Sequence, residues 1–303
     1  MSKVAQIIPY FGKWPEWIDL YFYSCSRNQI IDFYIYSDCG TLDNYPNSDN
    51  IKIIPISFSD YKELVTERLN KYGGSFKTDQ KYKLTDLKPF LGLIHENELK
   101  DYDWWGFGDL DLVYGDMSIL LNEKNLNRYN LITTHNYHIA GHCTFMRNNE
   151  YYRTLCLKIA DWQDRLSEDK HYGFDEAEWS NLVYSNIKYP LAIWSRMLKH
   201  INPLIFNAFM DTANRILSPR QLFREFYTTP IPNIGEQWIF DVKNCSIQSP
   251  KGQKLPYLHF LFFKKTPWLK TDNYWREGYW KITDCISDYK HITIDVMKVS
   301  GIN

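Results

Sequence analysis

Two aspartates one residue apart, Asp109 and Asp111, close the run Asp103-Trp104-Trp105-Gly106-Phe107-Gly108-Asp109-Leu110-Asp111. An apolar stretch ending in this way reads as a strand, and strand period 2 turns both carboxylates to one side of the backbone. Such a pair can hold a hard divalent cation and leave positions for phosphate oxygens. The chemistry it would serve is neutralisation of a departing diphosphate, with the cation as Lewis acid. On spacing alone the pair is weak evidence, because acidic pairs are common in solvated loops.

Other residue types suited to chemistry lie on either side. Asp175-Glu176 offers a general base for an attacking hydroxyl. Asp175 with Glu178 three residues on is also a capping box ahead of the apolar Trp179, Leu182 and Val183, which would leave Glu176 as the free carboxylate. His135, His138 and His142 would share one face of a helix and suit zinc. Against that, β-branched residues precede them, Gly141 interrupts them, and no fourth ligand stands at a usual spacing. His259 sits among apolar residues, where a satisfied core histidine is the ordinary reading.

The elements that must position these groups alternate strand and helix, the pattern of a largely parallel α/β sheet. Strands are expected at Val4 to Pro9, Phe33 to Ser37 and Ile51 to Ile56, with a helix from Pro15 to about Asn28 between the first two. Asp60 and Glu63 have capping-box spacing for a helix ending at Gly73-Gly74. A further helix is expected from Asp86 to about Leu99, with Pro89 tolerated in its first turn. Leu131 to Thr134 and Cys143 to Met146 read as paired strands. Tyr152, Leu155, Ile159, Trp162 and Leu166 fall on one face of an amphipathic helix. Between Lys188 and Arg224 six basic residues face one acidic residue, Asp211, which suggests a helical insertion or lid. Tyr257 to Lys265 reads as a late strand, followed from Trp268 by an aromatic, partly helical tail.

Lys88-Pro89-Phe90, then Tyr102 to Asp111, then Tyr114-Gly115-Asp116 resembles the central segment of GT-A-fold glycosyltransferases of bacterial capsule, O-antigen and lipopolysaccharide synthesis. The resemblance covers roughly residues 1–185 and the His259 strand, and nothing specific matches in 190–250. It implies a Rossmann-like mixed, mostly parallel sheet flanked by helices, forming one domain over 1–303. Within it, 1–130 would bind the nucleotide-sugar, 131–187 would face the acceptor, 188–226 would form the insertion, and 227–303 would complete the site. Asp109 and Asp111 would bind Mn²⁺ or Mg²⁺ and the diphosphate of a UDP-sugar, with Asp111 the better metal ligand and Asp109 on ribose or metal-bound water. His259 would be the third ligand, and Lys264 would meet the diphosphate. Tyr10 or Phe11 would stack on uracil and Lys13 reach a phosphate, although these aromatics could equally just pack their loop. Asp38 would hold ribose or base, His138, Gly141 and His142 would line the acceptor side, and Asp175 or Glu176 would be the base of an inverting transfer. The implied reaction moves a sugar, galactose-like by preference, to a growing surface polysaccharide or lipid-linked glycan.

Composition leaves room for this and narrows the rivals. Thirty-five basic and 36 acidic residues give a formal net charge of −1, so no global field draws the chain to nucleic acid. Aromatics make up 17% of residues, with 11 Trp and 23 Tyr, which suits sugar stacking but is also how a core of large residues is built. Six scattered cysteines without a C-x-x-C pair, no signal-like start and no long apolar run point to a cytoplasmic setting, with contact at the membrane face left to the basic stretch. A sugar-nucleotide nucleotidyltransferase would show a Gly-rich loop after the first strand, and Pro9 to Trp14 has only Gly12. A dehydrogenase would show G-x-G-x-x-G. A zinc-dependent hydrolase rests on the histidines, and a non-catalytic carbohydrate-binding protein on the Trp and Tyr content.

Overall fold

A computed structural model of the protein describes residues 2–42, 48–136, 138–184, 220–224, 226–264, 277–282 and 284–303, with isolated positions between 202 and 216. Its centre is an α/β sheet built from β1 (Val4–Pro9), β2 (Ile31–Ser37), β3 (Ile51–Pro55), β4 (Trp104–Gly108), β6 (Leu131–Thr133), β7 (Cys143–Arg147) and β8 (Gln221–Phe223). The order is β3-β2-β1-β4-β7-β6-β8. β1 pairs in parallel with β2 and β4, β2 with β3, and β6 with β8, whereas β7 runs antiparallel to both neighbours. The sheet is therefore mixed and mostly parallel, and compatible with a Rossmann-like fold.

Strands buried on both faces need apolar side chains on both. In β1, Val4 and Ile8 join the core beneath α1 (Ile18–Ser26), while Ala5 and Ile7 join the core on the opposite face with Trp105 and Phe107 of β4. Gln6 is the polar exception, and it is satisfied: its Nε2 donates to the Phe107 carbonyl at 2.9 Å, and its Oε1 accepts from the Tyr114 hydroxyl at 2.9 Å.

Several local expectations need correction. α2 (Phe58–Asn70) is capped by Ser57, which accepts from the Asp60 N–H, so Asp60 lies inside the helix and is not its cap. The helix expected from Asp86 is instead a broken run from Lys81 to Ile94, with a 3₁₀ turn at Lys88–Phe90. Pro89 sits inside that run, where its missing N–H and its ring tighten the chain. The face from Tyr152 to Leu166 is buried as expected, yet its helix is interrupted: Asp161 adopts φ 52° ahead of a separate helix, Trp162–Ser167.

The insertion expected at 188–226 lies largely outside the described residues, but Gln221–Phe223 belongs to the central sheet. The late strand is short: β12 (Tyr257–His259) pairs antiparallel with β5 (Leu112–Tyr114), and a 3₁₀ turn follows at Leu261–Phe263. The partly helical tail expected from Trp268 lies partly outside the described residues, and its described part carries a 3₁₀ turn at Ile286–Asp288 and two strands. Five antiparallel strands, β9 (Trp238–Asp241), β10 (Ser246–Gln248), β11 (Lys254–Leu255), β13 (His291–Ile294) and β14 (Val299–Ile302), form a second sheet in the order β11-β10-β9-β13-β14. Its core reaches the first sheet through Leu20 of α1 and Val113 of β5.

Candidate functional site

Order in a parallel sheet decides where side chains can converge. Because β1 lies between β2 and β4, the strand order reverses there, and the place where such sheets bind ligands lies beyond the carboxyl ends of β1 and β4. β4 stops at Gly108, so Asp109 and Asp111 are not strand residues as their spacing suggested. Backbone and side-chain bonds hold them in a loop: the Asp109 N–H donates to the His142 carbonyl at 3.0 Å, the Phe260 N–H donates to the Asp111 carbonyl at 3.1 Å, and Trp17 Nε1 donates to the Leu110 carbonyl at 2.7 Å.

That loop brings together the three expected metal ligands. Asp109, Asp111 and His259 each offer one ligand atom, all within 4.8 Å of one another. Asp111 is buried, and its Oδ2 lies 3.3 Å from His259 Nε2 and on the Lys264 ammonium. Burial alone would raise its carboxyl, but Lys264 and His259 together hold it well below the ordinary carboxylate range. His259 Nδ1 lies 3.0 Å from the Thr229 hydroxyl, which leaves Nε2 facing the carboxylates. Two carboxylates and an imidazole fit a first-row divalent ion such as Mn²⁺ better than Mg²⁺, which favours oxygen alone.

A second charged group adjoins the first. The buried ammonium of Lys88 reaches Asp109 Oδ1 at 2.6 Å, the Gly141 carbonyl at 2.8 Å and Asp175 Oδ2 at 3.2 Å. Burial works against its charge, yet Asp109 and Asp175 more than offset that and raise it. Asp175 is therefore an ion-pair partner rather than a capping residue, and Glu178, the other half of the expected box, binds Arg165 at 2.7 Å. Burial pushes the Asp175 carboxyl up to about 7, with Lys88 opposing and the Glu176 and Asp109 charges adding. Glu176 is exposed.

Two features place Asp175 at this point. Asp86, wholly buried against Lys83 at 2.9 Å, accepts the Tyr172 N–H at 2.9 Å and the Phe174 N–H at 3.0 Å, which fixes the segment entering the site. At Gly141 a Cβ would fall 2.5 Å from Asp175 Oδ2 and 2.9 Å from Glu176 Cγ, so only glycine lets the two segments meet. Gly141→Ala is expected to cost about 2 kcal/mol, the scale of overpacking a filled site. Urea denaturation reads this, and a loss below ~0.5 kcal/mol would show that the segments give way freely.

The loops after β1 and β2 lie at the same end of the sheet. Asp38 Oδ1 accepts the Gly12 N–H at 2.6 Å, so this acid ties the two loops together. Gly12 has φ +119°, and a Cβ there would lie 3.2 Å from Lys81 Nζ. Tyr10 stacks on Trp14 with centroids 5.8 Å apart, and its hydroxyl donates to the Lys13 carbonyl. Lys13 is exposed at the rim. Phe11 does not offer a free face: it is buried between Phe58 and Tyr61, so its place as a base-stacking residue is corrected to core.

The histidines of 135–142 are not on a helix. His135 stacks on His138 at 4.4 Å, and His142 stacks on His259 at 4.0 Å with its Nε2 2.9 Å from the Tyr257 hydroxyl. Burial, then the neighbouring His259 and His135, keep the His142 imidazole well below its ordinary range. His142 thus buttresses His259. Among the described residues the grouping able to share a cation is Asp109, Asp111 and His259, and the histidine cluster forms no zinc site of its own.

Sequence reasoning gave no role to Lys88, Thr229, Tyr257 or Trp17. Only Lys88 carried a signal, a cation between the apolar Leu87 and Phe90 that needs a buried partner. DUF6625, a family of unknown function, matches residues 6–272, and the chain belongs to that family. No curated protein matches the chain.

Proposed function

For this member of a family without an assigned function, we propose a metal-dependent glycosyltransferase of GT-A type that moves a hexose, galactose-like by preference, from a UDP-sugar to a growing glycan. The observation that carries the reading is the convergence of Asp109, Asp111 and His259 within 4.8 Å beyond the carboxyl ends of β1 and β4. A cation held there would supply Lewis-acid neutralisation of the leaving diphosphate. The chain's own groups do the rest. Lys264, beside Asp111, adds positive charge on the diphosphate side, and the Gly12–Asp38 bond shapes the nucleoside end. Asp175, whose carboxyl lies near neutrality, takes the proton of the acceptor hydroxyl as that oxygen bonds to the anomeric carbon and the sugar–phosphate bond breaks toward the diphosphate.

The acceptor is of oligosaccharide or lipid-linked type, and no helix among the described residues is long and apolar enough to cross a membrane. A thermal-shift panel of nucleoside diphosphates tests the reading. UDP with Mn²⁺ is expected to raise Tm by several degrees, about 5 °C at saturating ligand, and UDP with EDTA by almost nothing. Equal stabilisation by every nucleotide, or none by UDP with Mn²⁺, would remove the donor assignment.

A further inference from the structure

Lys88 has three N–H donors and three acceptors, and two of those acceptors are carboxylates with different tasks. Asp109, at 2.6 Å, belongs to the cation site, and Asp175, at 3.2 Å, is the proton acceptor. The Gly141 carbonyl at 2.8 Å anchors the ammonium between them. We infer that Lys88 is a shared counter-ion that couples the two sites, pairing chiefly with Asp109 while the cation site is empty and passing to Asp175 when a dication takes Asp109. The inference rests on the metal reading of Asp109, Asp111 and His259.

An ammonium 2.6 Å from a carboxylate oxygen competes with any cation for that carboxylate, and a dication at Asp109 repels it. Its alternative seat is already in place, because Asp175 Oδ2 is within reach and Gly141 keeps the third bond throughout. Ammonium passed to Asp175 favours the ionised carboxylate, which is the form able to accept a proton. Among the described residues, Asp109 and Glu176 are the other charges facing Asp175, and both act against ionisation, so Lys88 is the cation there that permits it. Donor binding would in this way prepare the base, and a base prepared only when donor is present limits idle hydrolysis. Coupling of this kind is reciprocal: a neutral Asp175 leaves Lys88 on Asp109 and weakens the cation there. Lys88 is a positioning residue in this account.

The test is a double-mutant cycle on Mn²⁺ affinity, measured by calorimetry on the full chain without sugar donor, with near-UV circular dichroism to confirm folding. Lys88→Met is expected to tighten Mn²⁺ binding, because the competitor is gone. Asp175→Asn is expected to weaken Mn²⁺ binding about tenfold with Lys88 present and less than about twofold in the Lys88→Met background. Equal effects of Asp175→Asn in both backgrounds would overturn the inference while leaving the metal site intact. No Mn²⁺ binding by the wild-type chain would sink both. The wild type gives an independent reading should Lys88→Met not fold: the Asp175 carboxyl resonance is expected to titrate at lower pH in saturating Mg²⁺, and an unmoved midpoint counts against the coupling.

Discussion

Replacing Asp111 by asparagine is expected to abolish the Mn²⁺-dependent stabilisation by UDP and to lower donor turnover about a thousandfold, the rate equivalent of ~4 kcal/mol. Asp111 is singled out over Asp109 because it is the carboxylate on which two other groups converge: His259 Nε2 at 3.3 Å and the Lys264 ammonium both meet its Oδ2. Asparagine keeps the shape and loses the charge, so the effect reads electrostatics rather than a cavity. The fold should survive. The Lys264 side chain is 26% exposed, and once unpaired it can turn to water instead of remaining a buried orphan. The sign of the acid response follows from the same contacts. Asp111 is held below the ordinary carboxylate range, so it contributes stability that is present above that range and lost as pH falls through its depressed folded value. The variant should therefore show a weaker loss of stability between about pH 4 and pH 2 than the wild type. Turnover equal to wild type would dismiss Asp111 as a ligand, and with it the donor site.

What the residue string made legible was local. The apolar run at β4 and the alternation of the first hundred residues depend on near neighbours, and the sheet bears them out, whereas the D-x-D pair behind β4 lies in a loop rather than on the strand its spacing suggested. His259 was legible as a candidate only through resemblance, since nothing near it in sequence says that β12 pairs with β5 and sets it against Leu112. Asp175 shows the limit most clearly. Its spacing to Glu178 satisfies a capping box, and the box fails because Lys88, 87 residues away, binds the carboxylate instead. Long-range ion pairs leave no period in a sequence. The helix expected through Tyr152 to Leu166 failed for another reason: burial requires only that apolar residues recur, and they do so here across two short helices and a left-handed turn at Asp161. Strand character was legible in the C-terminal segment, but its assembly into a second sheet was not, because these strands, two to four residues each, are too brief to show an alternation.

Asp175→Asn should lower kcat about a thousandfold, within the usual range for a lost general base, and should also erase a pH dependence the wild type shows. A base must be ionised to accept a proton. With its carboxyl at about 7 in the metal-free chain and lowered once Lys88 passes to it, wild-type kcat/KM with Mn²⁺ is expected to rise as pH increases toward neutrality and then level. Stability moves the other way. A carboxyl raised above its unfolded value contributes stability that is fully present below about pH 4 and is lost as pH rises through the folded value. The unfolding free energy of Asp175→Asn minus that of wild type should thus increase between about pH 4 and pH 8, whatever its offset from the loss of the Lys88 pair. Urea titrations at several pH values measure this without any substrate. The two curves separate roles that activity alone would blur. If the residue only packs, the stability slope appears without a change in the rate profile; if Glu176 is the base instead, Glu176→Gln takes the acid limb away and Asp175→Asn leaves it. The predicted pairing, a stability slope of the metal-free chain and a rate slope of opposite sign, requires a single buried carboxyl that the fold prefers neutral and the reaction needs charged.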